Sequence, residues 1–136
     1  MSTVASFVVP GEPVAQGSMV RTTHGMRHSK PLQITYYRSA VAAAWETVGI
    51  ADPLTGPLQL EVTFVLPRPK TAPKRRTQPE VKPDLDKLLR ALGDALTLTG
   101  AWIDDAQVTR IAASKIYPNA EHPLPATIVK ISPCPG

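Results

Sequence analysis

Between Leu58 and Leu66 apolar and polar residues alternate strictly. Leu58, Leu60, Val62, Phe64 and Leu66 fall on one side, and Gln59, Glu61 and Thr63 on the other. A period of two sustained over this length marks a strand with one buried face, and Pro67 ends it. It is the clearest strand in the chain. The fifteen prolines among 136 residues imply stiff, irregular connections and argue against an all-helical bundle.

The remaining elements follow from the same kind of reading. Thr3 to Val9 is β-branched and apolar and stops at Pro10-Gly11, as a strand closed by a turn does. Gly11 to Lys30 reads as a long loop carrying Arg21, Arg27 and Lys30, with His24 and His28 as solvated loop histidines. Ile34, Tyr37, Val41, Trp45 and Val48 recur at helical spacing, which predicts a helix over Leu32–Val48 that Gly49 terminates. Its aromatic residues read as core anchors. Leu85, Leu88, Leu89, Leu92 and Leu96 form one stripe of a second helix, Leu85–Leu98, ending near Gly100. Gln107–Tyr117 and Ala126–Ile131 read as two further strands. The expected fold is α+β, a single domain over residues 1–136, with two main helices packed on a mixed or antiparallel sheet.

A formal charge of +4 and a pI near 9.5 favour an anionic partner. Cys134, the single cysteine, excludes an internal disulfide and fits a reducing compartment. No apolar run is long enough to span a bilayer, and the N-terminus lacks the layout of a signal peptide, so a cytoplasmic location is expected. Pro67 to Pro83 concentrates Arg68, Lys70, Lys74, Arg75, Arg76 and Lys82 around one acid, Glu80. Such a run reads as a mobile surface loop, either merely solvated or in contact with phosphate.

Directly after this basic run come Asp84-Leu85-Asp86, and later Asp104-Asp105. Of the six aspartates, five lie between Asp84 and Asp105. A basic protein has no electrostatic reason to gather negative charge there, unless a divalent cation reconciles the two. Hard ions such as Mg²⁺ take carboxylate, phosphate and water oxygens, and they can activate water and stabilise the leaving oxygen in phosphodiester cleavage. Two residues apart is the spacing of one face of an extended segment, so Asp84 and Asp86 are expected to point outward while Leu85 turns inward. Asp86 also suits the N-cap of the following helix. Spacing alone thus points to metal binding by Asp84, Asp86 and one of Asp104 and Asp105. Arg90 lies one helical turn from Asp86 and from Asp94, placed either to stabilise charge on a phosphate or to form a surface ion pair.

These residues resemble a known family. Pro83-Asp84-Leu85-Asp86-Lys87-Leu88, Gly93-Asp94-Ala95-Leu96 and Gly100-Ala101-Trp102-Ile103-Asp104-Asp105-Ala106-Gln107-Val108 are similar to the core of RusA-type Holliday-junction resolvases, small endonucleases common in phages and prophages. Val9-Pro10-Gly11-Glu12-Pro13-Val14-Ala15-Gln16-Gly17 resembles the family's opening strand and loop. The resemblance implies a homodimer dependent on Mg²⁺, with Mn²⁺ as the alternative ion, that nicks four-way DNA junctions symmetrically. It assigns the metal ligands to Asp84, Asp86 and Asp105. Arg90 stands where the family has a functional lysine, and Lys87 where it commonly has asparagine, so only an electrostatic role carries over to Arg90. Lys115 matches a basic position of the family. Arg21, Lys74, Arg75, Arg76, Lys87 and Lys115 are the expected contacts to DNA. Two rival functions fit the same residues: a nuclease of flaps or other branched DNA, and a DNA-binding protein whose aspartates only cap and pair.

Overall fold

The computed structural model describes residues 3–17, 19–22, 25–28 and 31–135; the side chains of residues 19–22, 25–28 and 31 lie outside that description. The order of elements is β1 (Ala5–Pro10), β2 (Met19–Thr22), β3 (Gly25–His28), α1 (Pro31–Glu46), β4 (Leu58–Val65), α2 (Leu85–Thr99), a 3₁₀ turn (Asp105–Gln107), β5 (Val108–Ile116) and β6 (Ala126–Pro133). Four strands form one sheet in the order β1-β6-β4-β5. β6 runs antiparallel to both β1 and β4, whereas β4 and β5 are parallel. The sheet is therefore mixed and the fold α+β, as the sequence predicts. Parallel neighbours need a long crossover, and α2 lies in the connection from β4 to β5.

One correction concerns the segment after β1. The expected long loop contains a hairpin, with Met19 paired to His28 and Thr22 to Gly25. Its strands have four residues each and no alternating apolar face, so no periodicity announced them. His24 and Lys30 lie outside the described residues. So does the side chain of Arg21, whose backbone lies in β2.

Both helices rest on one face of the sheet. Ala5, Phe7 and Val9 of β1, the alternate residues Leu58 to Phe64 of β4, and Val129 and Ile131 of β6 meet Ile34, Tyr37, Val41 and Trp45 of α1 and Leu88, Leu92 and Leu96 of α2. Burying one such side chain fully contributes about 1.5–3 kcal/mol, so this interface carries the fold. Phe7 and Trp45 meet edge to face, with centroids 5.8 Å apart. Tyr37 reaches through the core to Thr127 on β6, with 2.7 Å between the two hydroxyls, and burial holds its phenol well above the ordinary range. β1 and β5 are the edge strands, and most of β5 is exposed. Among the described residues no helix is long and apolar enough to cross a membrane.

Candidate active site

α2 begins at Leu85, which packs against the core. The Leu88 amide closes the first helical hydrogen bond on the Asp84 carbonyl at 3.1 Å. Asp84 is thus the N-cap, with extended backbone (φ −72°, ψ 139°), and Asp86 lies within the first turn. This corrects two expectations: the triplet is not one extended stretch, and Asp86 is not the cap. The Asp84 carboxylate accepts no capping hydrogen bond, so the helix does not consume it. Asp84 and Asp86 are both exposed. Lys87 approaches Asp84 only to 4.0 Å, a separation at which a solvated pair contributes little.

The segment that delivers Asp84 is held from below. Lys115 lies on β5 in register with Phe64, which is in turn opposite Thr127. That row faces the helices. Its ammonium donates to the carbonyls of Val81 at 2.7 Å and Pro83 at 2.9 Å. Lys115 was expected to meet DNA phosphates. Within the chain its charge is directed at the two residues on either side of Lys82, immediately before Asp84.

Asp105 is presented by a second rigid piece. Gly100 ends α2 in the left-handed region (φ 84°), its amide donating to Thr97 and that of Ala101 to Leu96, a geometry that glycine adopts without strain. Trp102 is buried, and its indole N–H donates to Thr97 Oγ1 at 2.7 Å. The Asp104 carboxylate accepts from the Ala106 amide at 2.9 Å and caps the 3₁₀ turn. Gln107 uses both ends of its amide. Its Oε1 accepts from the amides of Ile103 and Asp104, and its Nε2 donates to the carbonyls of Leu54 at 3.0 Å and Gly56 at 3.1 Å. In the run Trp102-Ile103-Asp104-Asp105-Ala106-Gln107 the tryptophan, the first aspartate and the glutamine are structural, and Asp105 is left exposed at the apex.

The Asp105 carboxyl titrates above the usual aspartate range. The first cause is its hydrogen bond to the Asp104 side chain; partial desolvation and the charges of Asp104 and Asp94 add to it. Asp94 on α2 is therefore part of the acidic surroundings of Asp105. Sequence reading placed it only on a helix face with Asp86 and Arg90, because the fold over the α2–β5 connection is what brings it near. Asp86 and Asp94 are separated by about 12 Å along the helix axis, at 1.5 Å per residue.

The model of the endodeoxyribonuclease RusA family matches residues 10–132, nearly the whole chain. The chain belongs to the RusA family. It is also 32% identical to the uncharacterized protein YqaN of Bacillus subtilis (strain 168) over 126 residues, covering 82% of this chain and 86% of that protein. RusA proteins are endodeoxyribonucleases that bind branched DNA junctions and generally depend on a divalent metal.

The donor chemistry here suits such a metal, since all the acidic groups offer hard carboxylate oxygens and Asp84 is not spent on its helix. The crowding of Asp94, Asp104 and Asp105 is a like-charge conflict that a cation relieves. Even so, among the described residues no three carboxylate, histidine or cysteine side chains stand close enough together to hold an ion. The expected convergence of Asp84, Asp86 and Asp105 is not assembled within the single chain.

The RusA-like basic residues are distributed unevenly. Arg90 is exposed on α2, and among the described residues it forms no ion pair with Asp86 or Asp94. The Pro67–Pro83 run is folded on itself rather than loose. Arg68 donates to the carbonyls of Arg76 and Pro73 at 2.6 and 2.7 Å and lies over the Tyr117 ring at 5.0 Å. Pro79 is buried. Lys74 and Arg75 are displayed on the outside of this fold, and Arg76 is half-buried.

Proposed function

We propose that this RusA-family chain is a Mg²⁺-dependent endonuclease that resolves four-way DNA junctions by paired symmetric nicks, working as a homodimer. The observation that carries this reading is how the polar groups are spent. Lys115, Trp102, Asp104 and Gln107 all bond to the chain itself, while Asp84 and Asp105 stay exposed at the ends of the segments those residues hold. A protein that merely binds DNA has no use for two braced carboxylates beside a basic run.

Asp84, Asp86 and Asp105 would hold Mg²⁺, which supplies activation of water and neutralisation of phosphate charge. Lys74, Arg75, Arg76 and Arg21 neutralise backbone phosphates and set the position of the DNA. Arg90 and Lys87, on the helix that carries Asp86, would stabilise the charge that develops on the phosphate being cut. Two-fold symmetry follows from the substrate. A four-way junction offers two equivalent phosphates, and one chain carries one aspartate set. A two-fold dimer, the commonest closed assembly, presents two.

The test is cleavage of a mobile four-way junction with and without Mg²⁺, joined to light scattering at micromolar concentration and nicking of a supercoiled cruciform plasmid. Linearised plasmid from a dimer is expected. A stable monomer giving only singly nicked circles, or cutting that ignores Mg²⁺, overturns the reading.

A further inference from the structure

Beside Asp84 runs a groove of about 860 Å³, within the range of small-ligand sites, roughly 300–1,000 Å³. One wall is the Pro10–Gly17 segment, another comes from the first half of α1, and Lys82, Pro83, Asp84 and Lys87 complete the lining. The Gln16 amide donates to the Lys87 carbonyl at 3.0 Å, so the loop wall is fastened to α2.

The α1 wall is unusual for a helix whose other aromatic residues are buried. Tyr37 and Trp45 are buried, and Tyr37 only borders the groove, but Tyr36 is 73% exposed and lines it with its ring open to solvent. Gln33 and Ala40 lie three positions before it and four after it, on the same helix face, and both line the groove as well. Packing does not require an aromatic ring here. The arrangement offers a flat π-face, a small residue on one side of it, an amide with donor and acceptor on the other, two lysines, and the Asp84 carboxylate. An unpaired nucleotide matches that set: its base stacks on an aromatic ring, its edge meets an amide, and its phosphate lies against cations.

Resting on the nuclease reading above, we infer that this groove is a subsite for one unpaired nucleotide of the strand to be cut. Tyr36 stacks on the base and Gln33 hydrogen-bonds its edge. Asp84 lines the same groove, so a base held there is adjacent to the phosphate presented to the carboxylates. The subsite thereby selects where along a mobile junction the nick falls.

The experiment measures two quantities in the full chain and in Tyr36→Ala, Tyr36→Phe and Gln33→Ala. The first is affinity for a fluorescein-labelled deoxythymidine hexamer by anisotropy, in EDTA, where cutting plays no part. The second is the distribution of nicks on a mobile junction in Mg²⁺. Tyr36→Ala is expected to weaken hexamer binding at least about fivefold, the low end for loss of one base–aromatic stack, with the salt slope unchanged because no phosphate contact is lost. Tyr36→Phe should keep the wild-type affinity, and Gln33→Ala should spread the nicks over more positions. Equal hexamer affinity in Tyr36→Ala and the parent, or no hexamer binding by the parent, overturns the subsite even if the protein cuts junctions. Hexamer binding that depends on Tyr36 in a protein that cuts nothing upholds the subsite and overturns the nuclease reading instead.

Discussion

The ammonium of Lys115 donates to the carbonyl of Pro83 at 2.9 Å, one residue before Asp84. An edge strand thereby fixes the backbone that presents a candidate metal ligand. Lys115→Met is expected to lower the single-turnover cutting rate about 100-fold, the scale of a 1 Å misplacement, while junction affinity stays within about twofold. Lys115→Arg, which keeps a donor and the charge, should recover part of the rate. The opposite split, with weakened binding and an unchanged rate, would make Lys115 a phosphate contact.

Asp84→Asn, Asp86→Asn and Asp105→Asn should each abolish cutting, with folding and junction binding intact. Circular dichroism and anisotropy provide the controls. Nearly full activity in any two of the three rules out the ligand assignment.

Asp104 behaves differently because it caps the turn. Asparagine caps as well as aspartate, so Asp104→Asn should keep the fold and most of the activity at neutral pH. It also removes a charge and alters the hydrogen bond that raises the Asp105 carboxyl. A group with a raised folded-state value is ionised only at higher pH, and a metal ligand must be ionised. The acidic limb of activity at limiting Mg²⁺ should therefore shift to lower pH in this variant. A limb that stays in place separates Asp104 from the titration of Asp105.

Gln107→Ala removes four hydrogen bonds that join the turn to itself and to the Leu54–Gly56 segment. Partly exposed bonds contribute about 0.5–1.5 kcal/mol each, and water recovers some of that. A loss near 2 kcal/mol is expected in urea unfolding, roughly two typical bonds. Cutting should fall more than stability does, because Asp105 loses its support.

Replacing Lys74, Arg75 and Arg76 by alanine should weaken junction binding and flatten its salt dependence. Each lost phosphate contact lowers the magnitude of the log–log slope by roughly 0.9. An unchanged slope would leave the run a solvated loop.

What sequence reading could see depended on burial. The alternation of β4 and the leucine stripe of α2 were legible because each element buries one face. The sequences of β2 and β3 carry no such pattern, and these strands stayed hidden. Asp84 and Asp105 were visible as charges without a structural purpose. The work of Lys115 was not, since it depends on a parallel register with Phe64 that no local pattern encodes. Nor could the sequence reveal that Asp94 lies in the field of Asp105, or that Tyr36 lines a groove shared with Asp84. The Trp102–Gln107 run reads as acidic and functional, yet Trp102, Asp104 and Gln107 within it prove to be carpentry.

The sheet order has a consequence for how the molecule comes into being. Among the described residues β1 has one neighbour, β6, the last of these strands to leave the ribosome. Until Ala126–Pro133 has emerged, the first strand has nothing to pair with and β4 lacks its antiparallel partner. Every carboxylate of the candidate site is synthesised during that wait. Pairings this distant in sequence form late and slowly, so the aspartates should acquire their positions only in the final step of folding, all at once.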